Sequence, residues 1–192
     1  MEHVTVWGVH TGRPRGSKES EPRLLAAELD RSFKGTGGRG TIAVGWPELG
    51  DLAALPAALE AFRERLAEAN PDATPQSIVN DATTLYAFVH EAKEGDIVVW
   101  RSAESSDVWI GRIRGPYVHD PAAPAGCINR RPVSWRPPQA ATDFSKEALR
   151  SLGQQRSFFR VKNEQEFREA ATGMPAWMLR ATSGTTVEGE TA

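Results

Sequence analysis

The sequence predicts an α+β protein, a small, mixed, mainly antiparallel β-barrel flanked by helices. Strand-like patterns stand at the start, middle and end of the chain, with helical patterns between them. In the second half, strand patterns follow one another across short turns, which favours antiparallel pairing. Both faces of the hairpin from Val98 to Ile113 carry apolar side chains, as a closed or strongly curved sheet requires.

The elements follow in order. Val4 to Val9 alternates as a strand and is broken by Gly12, Pro14 and Gly16. Ser20 can cap a helix with Pro22 in its first turn, and Leu25, Leu29 and Phe33 recur at helical spacing before GTGGRG ends it. TIAVGW, from Thr41 to Trp46, is a second strand stopped by Pro47. Leu55, Leu59, Phe62 and Leu66 mark a helix from Leu55 to Ala69, and a third helical pattern runs around Asp81 to Lys93, closing at Gly95. The hairpin follows. RPVSW (Arg131 to Trp135) reads as a strand, Ser145 to Leu152 as a short helix and SFFRVK (Ser157 to Lys162) as a last strand. Asn163 with Glu166 three residues on signals a capped helix, and the tail from Ala181 has a disordered composition.

With 192 residues, 40% hydrophobic and 25% charged, the chain suits one domain with a real core. No apolar run is long enough to cross a bilayer, and MEHVTVWGVH lacks the features of a signal peptide, so a cytoplasmic protein is expected. Cys127 is the only cysteine, which excludes an internal disulfide. The histidines, His3, His10, His90 and His119, have no zinc spacing, so no metal and no cofactor are expected. The net charge of −2 argues against coating nucleic acid through bulk charge but leaves room for a local basic face. Most basic residues are arginine, whose planar fork suits phosphates and base edges, although an alanine- and arginine-rich composition also follows from a high-GC genome.

Some motifs imitate catalysis. Gly35, Gly37 and Gly40 satisfy G-x-G-x-x-G, but here a helix precedes the glycines and a strand follows, the reverse of what a dinucleotide pyrophosphate needs. Pro71-Asp72 with Glu91-Ala92-Lys93 matches a metal-dependent nuclease pattern. On a helix, however, Glu91 and Lys93 point about 200° apart. No serine sits in a nucleophile elbow, and a lone Cys127 is an inert small residue more often than a nucleophile. No catalytic residue is assigned.

Six tryptophans remain to be explained, five of them on strands: Trp7, Trp46, Trp100, Trp109 and Trp135. Each could simply fill the barrel interior. The runs VWGVHTG, IAVGWPELGDL, FVHEAKEGDIVVW and WIGRIRGPYVHD, in that order, resemble the PUA-like superfamily, close to its EVE and YTH branches. More narrowly they resemble the domain fused to the amino terminus of Mrr-type restriction endonucleases. The resemblance spans roughly Val4 to Lys162, within a domain drawn as 1–172 ahead of an extension over 173–192. The chain ends soon after, without room for a nuclease.

The resemblance implies a barrel that takes a modified base into an aromatic pocket. Carried over, that pocket is Trp7, Gly8 and His10, then Gly45 and Trp46, then Trp100, Arg101 and Ser102; Asp51, just beyond the Trp46 turn, is either an acceptor for the cytosine amino group or the cap of the helix that follows. Trp109 is expected to stand apart from Trp100. Arg13, Arg15, Lys18 and Arg39 in glycine-rich loops, with Arg112 and Arg114 on the hairpin, are candidates for phosphate contacts. The expected function is a non-catalytic reader of methylated double-stranded DNA, 5-methylcytosine first, flipping the base and working alone or with a separate effector protein, in the cytoplasm at the nucleoid. A modified-RNA reader of the YTH kind and an ASCH-like RNA- or nucleotide-processing enzyme stand as alternatives.

Overall fold

The computed structural model describes residues 4–10, 30–102, 105–123 and 125–173. The expected helix start at Ser20, the loop residues Arg13, Arg15 and Lys18, and the C-terminal tail lie outside the described residues. Among the described residues seven strands form one curled, mostly antiparallel half-barrel sheet flanked by helices. They are β1 (Val6–Val9), β2 (Arg39–Val44), β3 (Ile97–Arg101), β4 (Val108–Ile113), β5 (Val118–His119), β6 (Asn129–Trp135) and β7 (Phe158–Arg160). The order is β2-β6-β4-β3-β1-β7, with β5 also paired to β6. β1 and β3 run parallel, which their long helical crossover permits, and the other pairings among the described strands are antiparallel.

Strand alternation builds two cores from one sheet. Trp7, Val9, Val98, Trp100, Ile113 and Val133 face a core closed by α1 (Leu59–Ala69) and α2 (Pro75–Tyr86) through Phe62, Leu66 and Leu85. Val6, Ile97, Val99, Val108 and Ile110 point the other way. They meet Phe144, Leu152 and Phe167 from the segment around α3 (Lys146–Ser151) and from α4 (Gln165–Thr172). Burial on both faces is what the hairpin's apolar pattern requires.

Two polar side chains organise the sheet. Asp96, buried ahead of β3, accepts from Thr5 N at 2.8 Å, Trp7 Nε1 at 2.8 Å and Lys93 N at 3.0 Å, and so fixes β1 beside β3. Arg131, on β6, donates to the carbonyls of Phe88 (2.7 Å), Val89 (2.9 Å) and Gly115 (3.1 Å). Phe88 and Val89 lie in a π-helical turn, Ala87–Glu91, that continues α2 and closes with Ala92 N on Ala87 O at 2.9 Å.

Element boundaries move for local reasons. α1 begins at Leu59 rather than Leu55, because Asp51 caps a separate 3-10 turn, Leu52–Ala54, and Pro56 interrupts the approach. α2 begins at Pro75 rather than Asp81, with Thr74 accepting from Ser77 N at 3.2 Å and proline in the first turn. β2 ends at Val44 because Trp46 is left-handed, with φ 66°. The Asn163–Glu166 capping box does not form. Glu166 instead accepts from Ser145 N at 2.8 Å, and Asn163 reaches the Glu147 carbonyl, so both serve the α3 region.

Candidate functional site: the aromatic end of the sheet

One end of the sheet gathers an aromatic cluster. In β3–β4, Trp100 stands directly opposite Trp109, and cross-strand partners project to the same face. Their rings are 5.9 Å apart, Trp100 to Trp135 is 6.1 Å, Trp109 to Trp135 is 6.3 Å, and Phe33 meets Trp100 edge-on at 5.3 Å. The sequence expectation that Trp109 stands apart from Trp100 is corrected by this register. Lys34 Nζ lies 5.9 Å from the centroids of both rings, close enough for a cation–π attraction.

Polar groups edge the cluster. Ser102, buried just after β3, donates its hydroxyl to Asp30 Oδ2 at 2.8 Å, and Lys34 Nζ is 3.7 Å from the same oxygen. Trp135 Nε1 donates to the Phe33 carbonyl, whereas the buried Nε1 atoms of Trp100 and Trp109 have no acceptor among the described residues. An indole nitrogen is a donor only, so each leaves a hydrogen bond unmade at a cost of about 1 to 3 kcal/mol. Trp100 is fully buried, whereas Trp109 is half-buried and packs against the edge of the core.

The glycines before β2 serve this end. Gly35, Gly37 and Gly38 have φ of 59°, 60° and 75°, which turns the chain sharply from the helical residues 30–34 into β2. A Cβ on Gly40 would overlap the Phe33 carbonyl and come 2.7 Å from Trp135 Nε1, so glycine lets that indole reach its acceptor.

The residues carried over from the resemblance do not all converge. Trp100 and Ser102 are in the cluster, whereas Arg39 is exposed and paired with Ser134, on the sheet face opposite Trp135. Trp7 shares the sheet face but is buried, stacked on Phe158 at 4.8 Å with its N–H on Asp96. Gly8 and His10 project to the opposite face, where both meet Phe159. Arg101 is exposed at the end of β3. Gly45 and Trp46 follow the far end of β2, where the Gly45 carbonyl accepts from Asn129 Nδ2 at 3.1 Å. Of the two roles open to Asp51, the structure shows the cap: it accepts from Ala53 N at 3.0 Å, on that same far side.

Arg112 pairs with Ile97, away from Trp109, and donates to the Gly95 carbonyl at 2.8 Å; Arg114 is exposed one step further on. Neither borders the cluster. The nuclease-like match dissolves as well, since Glu91 pairs with Arg160 at 3.2 Å and Lys93 follows the π turn. Among the described residues no group of three or more His, Cys, Asp or Glu could hold a metal ion. Sequence reasoning missed Asp30, Phe33, Lys34, Trp109 and Trp135 as one group. The available signal was the pair of tryptophans flanking the short β3–β4 connection at equal distance.

Two histidines stay out of the cluster and give the fold a pH dependence. Burial lowers the pKa of His10, with the Leu152 and Gln154 backbone pulling the other way. Burial, aided by the nearby Arg131 charge, lowers that of His90. As pH falls through 6.5, the unfolded chain takes up protons that the folded chain refuses, so their stabilisation is complete above that value and declines below it. The urea midpoint is expected to fall between about pH 7.5 and about pH 5, and the His10→Gln/His90→Gln double variant is expected to show a shallower fall.

Fold and site together define an α+β protein whose curled half-barrel sheet ends in a tryptophan-lined cluster under a lysine. Residues 30–162 match the family described as Domain of unknown function (DUF8426), and the chain belongs to that family. No curated protein and no solved structure matches the chain. Among the described residues no helix is long and apolar enough to cross a membrane.

Proposed function

We propose that this chain is a PUA-like, EVE/YTH-type reader of a modified base, with 5-methylcytosine in duplex DNA as its first ligand, flipped out and held at the aromatic end. The observation that carries this is the pair of buried, acceptor-less indole N–H groups of Trp100 and Trp109 beside Lys34. Cytosine presents O2 and N3 as acceptors for such donors once the half-buried Trp109 ring moves to admit it, and its C5 methyl gains from apolar contact. The half-buried Trp109 offers the stacking surface, and Asp30 replaces Asp51 as the acid nearest the base. Lys34 supplies positive charge for a neighbouring phosphate. Base extrusion costs a few kcal/mol, which stacking and the new hydrogen bonds offset.

The test is a competition panel of otherwise identical DNA and RNA oligonucleotides, each carrying one modification. Preference for the methylcytosine duplex is expected. Trp109→Ala is expected to weaken that complex about 10- to 100-fold with the fold retained, because the ring is not part of the sealed core. Equal binding across the panel, or unchanged affinity in a folded Trp109→Ala variant, would remove the proposal.

A further inference from the structure

A second site lies away from the aromatic end. A groove of about 490 Å³ runs between the π turn and β6, with Arg131 in its floor and Val89, His90, Lys93, Pro116 and Tyr117 around it. Arg131 is only 4% exposed. A guanidinium has five N–H groups, and three of them go to the Phe88, Val89 and Gly115 carbonyls, which leaves two.

Carbonyls satisfy donors but carry no net charge, and no carboxylate among the described residues is in ion-pair contact with Arg131. Asp96 acts on it from a distance, with its own oxygens committed to Thr5, Trp7 and Lys93. A buried cation without a counter-ion is costly, so the arrangement favours a visiting anion. Lys93 adds a second positive charge at the exposed rim, opposed there by Glu94. His90 Nε2 lies buried in the wall of the same groove, with no partner among the described residues.

We infer that this groove binds a phosphate group, with the two spare Arg131 N–H groups and the Lys93 ammonium on its oxygens and His90 Nε2 as a further donor. Phosphate fits better than carboxylate because it offers oxygens to three separate donors at once, and the groove has the volume for the molecule that carries it. The site is separate from the base-reading end and does not depend on it. The phosphate can come from a small phosphomonoester or from a nucleic-acid strand.

The experiment titrates the full chain with inorganic phosphate, with chloride at matched ionic strength as control, following the Arg131 guanidinium and His90 ring resonances by NMR. Saturable shifts with phosphate and none with chloride are expected. Arg131→Met risks misfolding because it strands three carbonyls, so Lys93→Glu carries the genetic arm. Its side chain is exposed and its structural bond is made by backbone N, and phosphate affinity is expected to fall about tenfold. A nucleoside monophosphate and a single-stranded oligonucleotide, titrated separately, identify the source; saturation by either supports the site. Shifts no larger than those with chloride, or unchanged phosphate affinity in folded Lys93→Glu, overturn it.

Discussion

Replacing Asp96 by alanine is expected to lower the folding free energy by about 3 to 5 kcal/mol, a large share of the stability of a domain this size. Its carboxylate accepts from Thr5 N, Trp7 Nε1 and Lys93 N, of which the indole N–H is fully buried and the two backbone N–H groups are half-buried. Hydrogen bonds to a charged group contribute about 1.5 to 3 kcal/mol each, and they are not additive within one cluster. The loss propagates because Asp96 precedes Ile97, whose N–H pairs with the Thr5 carbonyl at 2.9 Å and sets the parallel β1–β3 register. Asp96→Asn keeps one acceptor oxygen but turns an amide N–H toward one of the donors, so about half the effect is expected. Urea unfolding followed by tryptophan fluorescence measures both. A change below about 1 kcal/mol in Asp96→Ala would show that the β1–β3 register is held by packing alone.

Much of the fold was legible because its signals are local. Period-2 alternation marked β1, apolar side chains on both faces marked the β3–β4 hairpin, helical spacing marked α1, and Ser145 marked α3, with its hydroxyl accepting from Ala148 N at 3.1 Å. The parallel β1–β3 pairing was not legible, because it depends on an aspartate 91 residues away from Thr5. The start of α2 was available in Thr74-Pro75 and was masked by weak apolar periodicity before Asp81. Of the candidate pocket, Trp100 and Ser102 lie at one end, while Trp46, Gly45 and Asp51 lie beyond the other end of β2. Sequence order could not show this, since β2 and β6 run the length of the sheet and both carry tryptophan at or beyond a strand end. Parity decided the rest: Trp7 and Trp100 share a face, whereas Gly8 and His10 fall on the other.

The Gly40→Ala substitution is expected to destabilise the protein by about 2 to 4 kcal/mol and to dismantle the aromatic end. Gly40 does not need a left-handed conformation, so the whole effect is steric. Its new methyl group would occupy the space of the Phe33 carbonyl and press on Trp135 Nε1. Either the helical residues 30–34 move off β2 or the indole leaves, and both outcomes break the Trp135-to-Phe33 hydrogen bond. Phe33 and Trp135 each contact Trp100, so the ring that backs Trp109 loses two of its supports. Gly37→Ala is the control. It carries the strain of a positive φ, about 1 to 2 kcal/mol, but meets open space and leaves the cluster alone. At a temperature where both variants are folded, Gly40→Ala is expected to lose tryptophan near-UV circular dichroism and oligonucleotide binding together, and Gly37→Ala to keep both. Wild-type stability in Gly40→Ala would mean that the Phe33–Trp135 contact yields without cost. Retained binding after loss of the dichroism signal would move the nucleic-acid site away from these rings.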